Sequence, residues 1–188
     1  MMKILKDLLA RLQRIPTPIA LVALLAIAIL LPLAMDNYQR AVLWTTGIYI
    51  LLGLSLNIVV GYAGMFQLGH AAFYALGAYT VAILNLELGV PIFLGMIAAV
   101  VVSGVVGFAL TRPILHLRGD YLAIVTIAFG EIVRMILVNN LGGVTGGANG
   151  LFGIAQPSLF GFTFRSVLSH YYLVLFFIVF TIIAMRRL

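Results

Sequence analysis

Glu131 and Arg134 stand three apart inside the otherwise apolar stretch "TIAFGEIVRMIL". On a helix this spacing puts both side chains on one face, where they can pair. Ionisable groups in an apolar helix usually face a bundle interior or a watery cavity, which makes both residues candidates for a solute path or gate. The plainer alternative is a self-neutralising pair near a helix end, with Arg134 snorkelling towards an interface. A second polar patch interrupts "GYAGMFQLGHAAFYALGAYT", Gly61 to Thr80, with four glycines, Gln67 and His70. Gly61, Gly64 and Gly69 can supply a backbone bend there, and Gln67 and His70 can satisfy the backbone groups that a bend frees. Non-helical backbone at membrane depth is tolerated only inside protein or beside water, and in transporters it clusters near the substrate route. A simple turn between two spans is the alternative. Asn57 completes the set, because an amide in hydrocarbon needs a partner. It ends a stripe of Thr45, Tyr49, Gly53 and Asn57 that reads either as interhelical glue or as part of a polar path.

Enzyme chemistry finds little support. The chain contains no cysteine, so it offers neither a disulfide nor a thiolate metal site. His70, His116 and His170 are isolated from one another, no H-E-x-x-H ligand pattern occurs, and there is no G-x-S-x-G elbow. No metal and no cofactor is expected.

The elements that must hold these residues follow from composition. Of 188 residues, 64% are hydrophobic and 9% charged, against roughly 25% charged in soluble domains. Mean hydropathy is +1.20. This is the balance of an integral membrane protein, and the scattered net charge of +6 is no nucleic-acid footprint. A span needs about 20 apolar residues, so gaps between charges mark the crossings. They predict an all-α, polytopic bundle of about six helices at 15–35, 41–60, 65–86, 91–111, 121–138 and 169–185, with a broken or re-entrant segment near 61–70. A short amphipathic, basic lead-in precedes the first. No internal repeat, low-complexity tract or linker divides the chain, so 1–188 reads as one transmembrane domain.

Placing the N-terminus in the cytoplasm puts Lys3, Lys6, Arg11, Arg14, Arg112, Arg118, Arg186 and Arg187 inside and only Arg40 and Arg165 outside. That is the arrangement the positive-inside bias favours. Both termini are then cytoplasmic, and the loop from Asn139 to about Ser169 is external. In the fourth span Gly95, Ala99, Ser103 and Gly107 recur every four residues, the spacing of a packing face in lipid.

Four ordered stretches carry a resemblance: "LNIVVGYAGMFQLGHAAFYALGAYTVAIL", "LRGDYLAIVTIAFGEIVRMIL", "VTGGANGLFGI" and the "QPSLFG" that follows. Together they resemble the permease subunits of branched-chain amino acid ABC transporters, in particular the LivM-like member of the pair. The similarity runs from about Tyr38 onwards, with Gln67 standing where many relatives carry Ser. It implies an importer at the cell (inner or plasma) membrane, built with a second permease subunit, two cytoplasmic ATPase subunits and an external solute-binding protein. ATP hydrolysis would belong to those partners. "TGGANG" lacks the Gly-Lys-Ser/Thr ending of a phosphate loop, and the resemblance puts it where the binding protein would dock. Family members continue into a cytoplasmic coupling segment, whereas this sequence stops at "TIIAMRRL". It therefore looks like the N-terminal part of a longer permease, and a non-conducting assembly subunit is the rival reading. Branched-chain amino acids are the expected solutes, with urea or amides as alternatives.

Overall fold

A computed structural model describes residues 17–114, 119–159 and 162–187. The basic lead-in, with Lys3, Lys6, Arg11 and Arg14, lies outside the described residues, as do Arg118 and His116. Among the described residues six α-helices follow one another: α1 (Thr17–Leu30, extended by a 3-10 turn, Leu31–Ala34), α2 (Asn37–Asn57), α3 (His70–Leu88), α4 (Ile92–Ile114), α5 (Asp120–Val138) and α6 (Val167–Met185). Five of these stretches are long and apolar enough to cross a membrane, and α1 contributes a shorter apolar helix. The chain is a multi-pass helical membrane protein.

Local chemistry sets the helix ends. The first turn closes as Gln39 Oε1 accepts from the backbone N–H of Asp36 at 3.2 Å, while Arg40 donates to the carbonyls of Pro32 and Leu33 at 2.8 and 3.4 Å. The one arginine thus serves carbonyls that α1 can no longer bond internally. Gly89, at φ +64°, ends α3 with backbone bonds back to Asn85 and Leu84, a left-handed cap that favours glycine. Ser166 caps α6 by accepting from the N–H of Ser169 at 3.1 Å.

Packing divides the helices into two groups, α3 against α4 and α5, and α2 against α6. The tyrosines of α6 also reach α1: Tyr171 and Tyr172 donate to the carbonyls of Ala28 and Ile29 at 2.8 and 3.0 Å. Among the described residues the buried apolar set is Ala72, Ala82, Ala99, Ala123, Val133 and Met185, small side chains for the most part. Large apolar residues such as Leu94, Val100 and Phe108 point outwards, as they do in a lipid solvent where close approach replaces the hydrophobic drive. The face of α4 that carries Gly95, Ala99, Ser103 and Gly107 lies against α3. Added Cβ atoms would meet Val81 at 3.3 Å from Gly95 and Phe73 at 3.4 Å from Gly107, while Gly77 of α3 looks at Ser103 and Ala99.

The segment between α5 and α6 is ordered by side chains. Thr145 is buried and bonds the Leu137 carbonyl and Asn140 Oδ1 at 2.8 and 3.0 Å. A two-residue antiparallel hairpin pairs β1 (Ser158–Leu159) with β2 (Phe162–Thr163), Ser158 opposite Thr163. Asn85 fastens the segment to α3, its Oδ1 accepting from the Ala155 N–H at 2.8 Å and its Nδ2 donating to the Val90 carbonyl at 2.9 Å. Asn85→Leu is expected to raise hydrogen exchange at Ala155 by about tenfold, the scale of one or two lost bonds. Unchanged exchange would show that the segment is held elsewhere.

Candidate functional site

The sequence places a third span at 65–86, but α3 begins only at His70 and runs to Leu88. The second span likewise extends beyond 41–60, as α2 passes into a single π turn at Ile58–Tyr62. Residues 63–69 between them are not helical. They do not simply turn at the end of the bundle. His70 Nε2 sits 2.6 Å from Ser55 Oγ, and Ser55 precedes Tyr62 by seven residues, about 10 Å back along α2 at 1.5 Å per residue. The chain leaves α2, turns at Gly64 and climbs back into the bundle before α3 starts.

The three bend glycines differ in role. Gly64 alone adopts a positive φ, +65°, where a side chain would be strained. Gly69 has an ordinary φ of −89° but is buried against α5, where a methyl group would overlap the Thr126 carbonyl. Gly61 lies within the π turn, and the side chain of Asn57 folds over it, so that an added Cβ would be 2.8 Å from Asn57 Oδ1.

Gln67 and His70 do not satisfy the backbone of the bend. His70 engages Ser55, and Gln67 makes no hydrogen bond among the described residues. The group that serves the backbone is Thr126, only 1% exposed, whose Oγ1 accepts from the Leu68 N–H at 3.1 Å and donates to the Ala123 carbonyl at 2.9 Å. One hydroxyl thereby fixes α5 to the re-entrant segment. A cap on the neighbouring side is Tyr62, which donates to the Met185 carbonyl at the end of α6 at 3.1 Å.

Two cavities flank this contact. One, of about 420 Å³, is lined by Gly64, Gln67, Thr111, Ile114, Leu122 and Thr126 at the end of the bundle where α4 gives way to α5. The other is a groove of about 480 Å³ between α3 and α5, lined by Leu68, Gly69, Tyr79, Gly130, Glu131 and Arg134. No residue lines both. The step from Gln67 to Leu68, held on Thr126, is the wall between them. Glu131 and Arg134 do pair, Nε to Oε2 at 2.9 Å and Nη2 to Oε1 at 2.6 Å, and both remain substantially exposed in the groove. Asn57 with Thr45, Tyr49 and Gly53 instead lies on an exposed face of α2, away from both cavities.

A re-entrant break thus lies between two cavities whose linings are mostly apolar with a few polar groups. The family described as branched-chain amino acid transport system permease component matches residues 39–188. The chain belongs to this permease family. The high-affinity branched-chain amino acid transport system permease protein LivM of Salmonella typhimurium is 49% identical over 144 residues, 77% of this chain and 34% of that protein. Its counterpart in Escherichia coli is 48% identical over the same length. A probable branched-chain amino acid transport permease protein LivM of Methanocaldococcus jannaschii is 29% identical over 163 residues, 69% of this chain and 46% of that one. The chain thus spans about a third of the length of the two bacterial permeases and about half of the archaeal one. No solved structure matches.

Sequence reasoning missed Thr126, Ser55, Tyr62 and Tyr79. A threonine or serine in an apolar helix can bond its own preceding turn, so it raises no flag by itself. The partners of Thr126 and Ser55 are 58 and 15 residues away, and only the fold brings them together.

Proposed function

We propose that the chain forms part of the translocation path of an ABC importer for the branched-chain amino acids leucine, isoleucine and valine. An external binding protein delivers the solute, a second permease subunit completes the path, and two cytoplasmic ATPase subunits drive it. Both termini face the cytoplasm, so the α3–α5 groove opens outwards and the Gln67–Thr126 cavity inwards. The observation that carries this reading is the re-entrant segment 63–69, whose Leu68–Thr126 contact divides the two cavities. Alternating access then requires only that this contact open and reform, while Gln67 and His70 lie on either side of it. Glu131 and Arg134 line the outward approach, and Asn57, exposed on α2 away from both cavities, is read as interhelical glue.

Uptake of labelled leucine into proteoliposomes holding the full-length permease, its partner subunits, ATP and binding protein tests this. Thr126→Val removes the acceptor for a buried N–H, which costs about 1–3 kcal/mol. It is expected to change uptake at least several-fold, with Thr126→Ser restoring it. Uptake indifferent to Thr126→Val, and to combined Asn57→Leu, Gln67→Leu and Arg134→Leu, would leave the chain a scaffold without a path.

A further inference from the structure

The Glu131–Arg134 pair has hydrogen-bonding capacity that the protein does not use. Its two bonds occupy Nε and one N–H of Nη2, leaving three of the five guanidinium donors, including both on Nη1, without a partner among the described residues. The carboxylate accepts two bonds and has lone pairs to spare. Both side chains project into the α3–α5 groove, whose 480 Å³ falls within the roughly 300–1,000 Å³ typical of small-molecule sites. Opposite them, Ala71, Ala75 and Leu68 present apolar surface, and Tyr79 adds a hydroxyl that makes no hydrogen bond among the described residues.

Charge decides what fits. A lone cation or anion would pair with one residue of the exposed pair and leave the site with a net charge. A zwitterion leaves nothing unbalanced. Its ammonium takes Glu131, its carboxylate takes Arg134, and the site is neutral before and after. The empty site holds its own charges together by pairing them, so it needs no counter-ion while waiting.

We propose that Glu131 and Arg134 form a zwitterion-binding station in the groove, with the α-ammonium of a small amino acid on Glu131, the α-carboxylate on Arg134 Nη1 and the aliphatic side chain against Ala71 and Ala75. This rests on the permease reading and assigns specificity-determining residues to it. The station selects the backbone of the solute, not its side chain.

These 188 residues contain no cysteine, so Ala75→Cys places one reporter among them, identified by its position. The full-length permease, in nanodiscs with its companion subunits but without binding protein, is labelled with a maleimide, and modification at position 75 is read by mass spectrometry. L-leucine is expected to slow labelling, whereas isocaproate, lacking the ammonium, and isoamylamine, lacking the carboxylate, do not. Glu131→Gln or Arg134→Gln is expected to raise the half-protecting leucine concentration about tenfold or more, as for a lost charged hydrogen bond. Protection by either single-charge analogue equal to that by leucine, protection unchanged in the variants, or no protection at all would overturn the proposal. Should the variants fail to assemble, the analogue series on the unaltered pair decides. The two readings fail separately. Leucine uptake with no zwitterion protecting position 75 sinks the station alone, and protection by other amino acids without leucine uptake sinks the assigned solute alone.

Discussion

Gly69→Ala is expected to abolish leucine uptake and to destabilise the α3–α5 contact by about 3 kcal/mol or more, at or beyond the usual cost of overpacking. The added methyl would overlap the main-chain carbonyl of Thr126, and no rotamer change can move a helix carbonyl aside. Gly130 faces the same point, 3.6 Å from the Gly69 Cα measured from an ideal Cβ, so the two backbones already touch. The start of α3 must therefore retreat from α5, and the Leu68 N–H loses Thr126 with it. Gly64→Ala makes a useful comparison. It meets nothing within 4 Å but must hold φ +65°, a strain of about 1–2 kcal/mol. Denaturant titration in micelles should rank the two, with Gly69→Ala the worse. A Gly69→Ala protein as stable and as active as its parent would mean that the re-entrant segment does not seat on α5.

The second large effect is expected at Gly47, where α2 meets α6. This glycine is buried, and an added Cβ would stand 2.6 Å from Val174 Cγ1. Gly47→Leu forces the two helices apart and should cost about 1–3 kcal/mol. Gly53, six residues further along the same helix, has nothing within 4 Å, so Gly53→Leu in the isolated chain should be close to neutral. Helix propensity favours leucine over glycine equally at both sites, so packing alone separates them. Trp44, the only tryptophan of the chain, lies with its ring 6.0 Å from that of His170 of α6, and its emission reports this contact. A similar emission shift and a similar loss of stability for both variants would refute the assigned α2–α6 face.

The membrane spans were legible because charge is so costly in hydrocarbon that its absence marks them. The ends were less so, since apolar length does not say where a helix stops. The third span is the instructive case. Residues 65–69 carry no charge to mark a helix end, and the seat of Gly69 against a carbonyl on another helix is invisible along the chain. The glycines announced a bend without saying which of them made it. Glu131 and Arg134 were found as a pair from spacing alone, because the contact is within one turn. The wall between the cavities was not, because Thr126 hides its role behind a hydroxyl that could have bonded its own helix. Polar residues whose partners are local can be read along the chain, and those whose partners are distant cannot.

The tyrosine bonds from α6 to α1 have a consequence for biosynthesis. Donor and acceptor are 143 residues apart, so at roughly 5–20 residues per second the ribosome needs about 7–30 s to deliver Tyr171 after Ala28 has emerged. Throughout that interval Arg40, bonded to the Pro32 and Leu33 carbonyls, is the tie available between α1 and α2. Only once α6 has been made can Tyr171 and Tyr172 bond the Ala28 and Ile29 carbonyls, so the tie of α1 to α6 follows its tie to α2.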